Sequence, residues 1–414
     1  MDIILMPNEI EMYIDSMRPQ NMLNLGTDQW MEWHNRLQKL HQEALLEAAA
    51  LSGEHVKETL VSFGKTNILV HEIILISIWK HKVLPHLLKL VKRPECTFFA
   101  YSILYHEGVC VALLELVMFH SDCCEALDEV AVDLLDYVSV AVSKLLNQQT
   151  EESANQELIQ QRNKISFDIG IRCLTILFYL AENVDKLPIT VCSRLYAAYD
   201  VPVLLSEIIL KRPWVKNDGN IYSGGKWRKW DNEQLPQVEA QVWLTLRQTL
   251  LSQEGHQYYS ITANRRSQLT KILPMMNPIL LDQLSPLFEL KNWLCRVSCL
   301  QEYAPPIKPV FVEAILEIKE KILQECQSKW KSIAKKQALI IFTNNKEKIQ
   351  QTAKMLTEAY NTDFMEKFEV NESQTCVQCN KTAVQRCSRC KKCWYCSRRC
   401  QVNHWPQHKE NCSQ

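Results

Sequence analysis

Between Cys376 and Cys412 the chain carries Cys376-x2-Cys379, Cys387-x2-Cys390, Cys396-x3-Cys400 and His408-x3-Cys412. Two donors three or four residues apart reach one ion from a single short turn, with zinc about 2.3 Å from each thiolate sulfur. Four such pairs supply the eight donors that two tetrahedral zinc ions need. Spacing alone leaves two ways of sharing them: successive pairs on one ion, or alternate pairs interleaved. Cys393 and His404 lie in the same stretch but outside these four spaced pairs. A metal-free cysteine-rich tail is the competing account, and eight regularly spaced donors speak against it.

The run Cys387-Ser388-Arg389-Cys390, followed by Tyr395-Cys396, Cys400-Gln401, Trp405, His408 and Cys412, resembles the MYND-type zinc finger. That resemblance implies interleaved ligation. Cys376, Cys379, Cys396 and Cys400 then hold one zinc, while Cys387, Cys390, His408 and Cys412 hold the other. It also makes Cys393 and His404 bystanders, since the family has no ligand at either place. In MYND fingers that take proline-containing peptides, the groove uses positions that match Ser388, Gln401 and Trp405 here. Gln401 and Trp405 are four apart, so they share one face of a short helix closing at His408, where an indole can pack on a proline ring. The plainer reading of Trp405 is as the small core of a domain with little else to bury.

No catalytic constellation accompanies the finger. Gly219 to Trp227 comes near a phosphate-binding loop, but Asn220 stands where the pattern needs glycine and Trp227 where it needs a hydroxyl. His120 with Cys123 and Cys124 lacks a fourth ligand. Some MYND fingers sit inside lysine methyltransferases, whose β-rich catalytic domain continues past the finger. This sequence runs two residues beyond Cys412, and a non-enzyme is expected.

The elements that must carry the finger are helical. With 414 residues, 47% hydrophobic and 23% charged, the composition is that of an ordinary globular chain of two or three domains. Only nine glycines and apolar residues recurring every three or four positions point to an all-α fold. One helix is expected from an N-cap at Thr27 to Gly53, with Trp30, Trp33, Leu37, Leu40, Ala44, Ala48 and Leu51 on its buried stripe. Similar patterns recur at 68–79, 85–91, 111–119, 130–146, 169–181 and 201–210. Segments beginning at Val83, Val109 and Val201 look alike, each as the opening of an apolar helix. Their unequal separations leave an irregular armadillo- or HEAT-like stack and an irregular bundle as alternatives.

Three parts are expected: a helical body over 1–303, a proline-marked boundary with amphipathic helices over 304–370, and the finger over 371–414. Within the body, 211–236 reads as a long loop carrying Trp214, Trp227 and Trp230, whose simplest role is to cover the helices beneath. After Ala304-Pro305-Pro306-Ile307-Lys308-Pro309, a long amphipathic helix is expected from Phe311 through Ile333, docked on the body. Asn371 to Thr375 reads as a hinge.

Charge and apolar runs bound the partners. Residues 371–414 hold eight Lys or Arg against two Glu within a chain of zero net charge. Ligand thiolates offset most of that excess even after two zinc ions bind, so no nucleic-acid partner is expected. Asp2, Glu9 and Glu11 argue against a signal peptide, and no unbroken apolar run reaches the length of a membrane span. Nine of the seventeen cysteines lie outside the finger and read as buried free thiols of a reducing compartment.

The order of segments, from Met1-Asp2-Ile3-Ile4 through the body to the terminal finger, is similar to a family of cytoplasmic factors for preassembly of axonemal dynein arms. That resemblance implies a non-enzymatic adaptor placed in the cytoplasm near centriolar satellites or basal bodies. The partners it implies are chaperone machinery and a leucine-rich-repeat assembly factor contacted through the finger, with dynein chains as clients. The competing class is a nuclear corepressor-type adaptor, against which stands the lack of a basic cluster for import.

Overall fold

The computed structural model describes residues 5–50, 53–91, 94–147, 156–230, 234–299, 313–359, 376–379, 383, 385–387 and 393–412. The expected proline boundary, the helix start at Phe311, the hinge at 371–375, and Ser388 and Cys390 lie outside these. Two compact units emerge, Met1–Ala353 and Lys354–Gln414.

The body begins with α1 (Pro7–Asp15), α2 (Asp28–Ala50), α3 (His55–Ser62), α4 (Thr66–Lys82), α5 (Leu84–Leu90) and α6 (Phe98–Val117). It continues with α7 (Ser121–Glu125), α8 (Val130–Lys144), α9 (Gln156–Glu182), α10 (Ile189–Ser193) and α11 (Val201–Lys211). After a hairpin come α12 (Gln237–Leu251), α13 (Gln253–Tyr258), α14 (Ala263–Thr270), α15 (Pro278–Gln283) and α16 (Leu287–Cys299). Then follow α17 (Glu317–Cys326), α18 (Trp330–Ile341) and α19 (Lys346–Ala359).

The helices form two layers. In one, α2, α6, α9, α12 and α16 each pack on the next; in the other, α4, α8, α11 and α14 lie against α6, α9, α12 and α16 respectively. This is a stack of helix pairs, the HEAT-like alternative. The second helices of the pairs begin at residues 98, 156, 237 and 287, whereas a regular array would repeat every ~40–47 residues. Of the three look-alike segments, Leu84 and Val201 do open helices, and Pro85 and Pro202 sit in the first turn where a missing N–H costs nothing. Val109 opens none: it lies inside α6.

Thr27 caps α2, its Oγ1 accepting from the Trp30 N–H at 3.3 Å. Trp30, Trp33, Leu37, Leu40 and Ala44 are buried along it; Ala48 is exposed and Leu51 is outside the described residues. α6 is long and apolar enough to cross a membrane, but it is mostly buried in protein, with α2, α4 and α9 around it. A helix apolar over most of its surface is what that central position requires, and its buried His106 and Glu107 are met by His34 and Tyr137.

The expected single helix from Phe311 to Ile333 is two. Ser328 takes a left-handed backbone, φ 64°, which an α-helix of L-residues does not continue, and α17 ends just before it. Both halves dock, burying Ile322, Cys326, Ile333 and Ile341. The Asp133 carboxylate accepts from the backbone N–H of Ile318 at 3.4 Å and of Lys319 at 3.3 Å, meeting donors that a helix N-terminus leaves unpaired. In α18 the buried Gln337 accepts from Trp79 Nε1 at 2.9 Å and donates to the Met22 carbonyl at 2.6 Å.

Residues 211–236 contain structure where a loop was expected. β1 (Asn220–Ser223) and β2 (Lys226–Lys229) pair antiparallel across Gly224-Gly225. Both glycines are left-handed, φ 56° and 77°, as a two-residue turn matching strand twist demands. Trp214 is fully buried and donates Nε1 to Glu239 at 2.9 Å. Trp227 stacks on Phe167 of α9 beneath the Lys216 ammonium, 4.3 Å from the ring centroid. Trp230 donates to the Gln234 carbonyl at 3.0 Å.

Candidate metal centre

The finger is built from β3 (Gln385–Arg386), β4 (Trp394–Tyr395) and α20 (Arg398–Asn411). β3 and β4 pair antiparallel, Gln385 with Tyr395 and Arg386 with Trp394. Val377 N–H donates to the Trp394 carbonyl at 3.0 Å, laying the first cysteine turn against the same hairpin. Ser397 caps α20 through Oγ, which accepts from Cys400 N–H at 3.4 Å. Two pieces, a hairpin and a helix, therefore aim the donors from a segment too short for its small core to hold it folded without metal.

Cys376, Cys379, Cys396 and Cys400 form one cluster and Cys387, His408 and Cys412 a second, with all donor atoms of each within 4.8 Å of one another. In the first, Cys379 and Cys396 sulfurs lie 3.4 Å apart, Cys396 and Cys400 3.5 Å, and Cys400 and Cys379 3.8 Å. In the second, Cys387 and Cys412 sulfurs are 3.8 Å apart. Tetrahedral zinc with sulfur at 2.3 Å needs edges of about 3.8 Å. The donor sets thus fit two zinc sites, and their membership is interleaved; the sequential sharing that spacing left open does not occur. α20 serves both, with Cys400 in its first turn and His408 in its last.

Two thiols of the first cluster are shifted in opposite directions. Burial raises the Cys376 thiol, but the backbone N–H groups of Cys396, Gln378 and Cys379 outweigh it and hold it at about 6. Hydrogen bonds with the Cys379 and Cys400 thiols push Cys396 up to about 12. The Cys376 proton leaves easily, whereas Cys396 holds its own. A divalent cation among them removes that resistance, because it turns thiolate repulsion into ligation.

The small core of the finger is Cys376, Ala383, Cys387, Tyr395 and Cys412. Its aromatic residue is Tyr395, fully buried and sharing a 3.0 Å hydrogen bond with His404 Nδ1, a role not read from the sequence although the alternation of Trp394 and Tyr395 in a strand carries it. Trp405 is not that core: it is 38% exposed, and Val402 beside it is 62% exposed. Gln401, half-buried, and Trp405 occupy one face of α20, with the Trp405 ring edge-on to His408 at 5.9 Å. Cys393 lies against the second cluster, its sulfur 3.4 Å from His408 Nδ1.

Elsewhere, His120 Nε2 meets Glu54 at 2.8 Å, and burial pushes the Cys123 and Cys124 thiols up to about 12. Among the described residues that trio forms no metal cluster.

The MYND finger family matches residues 376–412. Over 443 aligned residues, covering 98% of both chains, the protein is 33% identical to the zinc finger MYND domain-containing protein 10 homolog of Drosophila melanogaster. It is also 50% identical over 44 residues to ubiquitin C-terminal hydrolase 15 of Oryza sativa subsp. japonica, and 49% over 43 residues to ubiquitin carboxyl-terminal hydrolase 15 of Arabidopsis thaliana. Those stretches are 10% of this chain and 4% and 5% of the enzymes, so the likeness is local. No solved structure matches the chain.

Proposed function

The chain belongs to the family of the zinc finger MYND domain-containing protein 10 homolog, and from that premise we propose that it is a non-enzymatic adaptor for preassembly of axonemal dynein arms in the cytoplasm. In this reading the finger captures a leucine-rich-repeat assembly factor, the helical stack engages chaperone machinery, and dynein chains are the clients. The observation that carries the adaptor reading is the face of α20 on which Trp405 stands exposed beside the half-buried Gln401, against the ring of the second cluster's His408. An exposed indole next to an amide on a rigid helix suits capture of an extended, proline-containing segment. The finger's own core is already supplied by Tyr395, which leaves Trp405 available for a partner.

Gln401→Ala in the full-length protein tests the face. Capture of partners from ciliated-cell cytosol should fall several-fold with two zinc ions per chain retained; unchanged capture would place the partner on another surface. Capture from nuclear extract in preference to cytosol would instead favour the nuclear corepressor-type adaptor.

A further inference from the structure

The second metal cluster sits in a cysteine run that supplies more thiols than it needs. Cys387, Cys390, Cys393 and Cys396 follow one another at intervals of three, so Cys393 stands at chelating distance in sequence from both Cys390 and Cys396. The hairpin register, Gln385 with Tyr395 and Arg386 with Trp394, continues to Cys387 and Cys393, where Cys387 N–H donates to the Cys393 carbonyl at 2.8 Å. Cross-strand partners project to the same side of a hairpin with β-carbons about 5 Å apart. Cys393 is half-buried and packed against the finger's core. Its sulfur lies 3.4 Å from His408 Nδ1, close to the ~3.6 Å that separates sulfur and nitrogen ligands on one tetrahedral zinc.

We propose that Cys393 is a reserve thiolate ligand of the second zinc site, taking the fourth coordination position when Cys390 is unavailable. It stands outside the cluster of Cys387, His408 and Cys412 that closes within 4.8 Å, which suits a reserve rather than a resident ligand. Its one side-chain torsion can carry the sulfur by roughly 3 Å between staggered wells, a range that spans the approach to the cluster. Anchored opposite Cys387, its backbone need not shift. The site therefore holds its ion through loss or chemical blockage of one cysteine, as a four-donor site does not.

Zinc per chain in the purified full-length protein, and thiolate-to-metal charge-transfer absorbance after exchange with cobalt(II), test this. Far-UV circular dichroism monitors the helical stack throughout. Cys393→Ser and Cys390→Ser should each retain two ions, and Cys390→Ser should keep the cobalt-thiolate absorbance of the unsubstituted protein. The double variant should fall to one ion per chain. Loss of an ion from Cys390→Ser alone would overturn the proposal, as would two ions retained in the double variant. Loss of an ion from Cys393→Ser alone would make Cys393 a resident ligand and overturn it equally.

Discussion

His34 and His106 are fully buried with their Nδ1 atoms 2.9 Å apart, so one ring must donate and the other accept. With the Gln38 amide nitrogen facing His34 Nε2 at 2.9 Å, His34 carries its proton on Nδ1 and His106 carries its own on Nε2, toward Glu72. Burial and then the neighbouring His106 hold His34 well below 6.5; burial and then Arg172 bring His41 down to about 3. Burial raises the Glu72 carboxyl, but the imidazoles of His106 and His71 beside it outweigh that and set it at about 2. The signs agree. Below pH about 6.5 the unfolded chain binds protons that folded His34 and His41 refuse, and Glu72 stabilises above 4.5 and less as pH falls toward 2. Thermal melts of the helical signal should shift down steadily from pH 7 to pH 5. His34→Gln should flatten the slope by about 1.4 kcal/mol per pH unit, one proton's worth; an unchanged slope would refute the assignment. None of this network was legible in the sequence, because α2, α4 and α6 bring its members together from distant positions. The zinc donors were legible because their geometry is local.

At the level of elements, α8 and α9 approach so closely that a methyl group on Gly170 would sit 2.7 Å from Leu145 Cδ2. Alanine in a helix gains about 1 kcal/mol over glycine, but Leu145 is buried and overpacking a core costs about 1–3 kcal/mol. Gly170→Ala should therefore be destabilising in denaturant titration. Combined with Leu145→Ala the loss should be less than the sum of the two singles; strict additivity would show that the clash is absent. The helices of both layers were readable from apolar spacing and caps such as Thr27. Gly224-Gly225 between Ser223 and Lys226 was a hairpin signal overshadowed by the tryptophans around it. The break at Ser328 had no signal, since serine carries no preference for the left-handed backbone it adopts there.

The molecule as a whole joins a stack of helices with a large core to a finger whose core is a handful of residues. Its all-α class was legible, whereas the choice of stacked pairs over a bundle was not, because uneven spacing hides the repeat. Chelation should remove both zinc ions and unfold the finger while the helical dichroism and cooperative melting of the stack persist. Collapse of most of the helix on chelation would show the two to be one folding unit. The buried Gln337 adds a consequence for how the stack comes into being. It lies 258 residues after Trp79, whose indole it satisfies, and at synthesis rates of about 5–20 residues per second that interval lasts roughly 13–50 s. For that time the nascent chain holds an indole and the surrounding apolar helix surface without their cover. The protein is thus exposed to aggregation on the ribosome for longer than a domain whose contacts close locally.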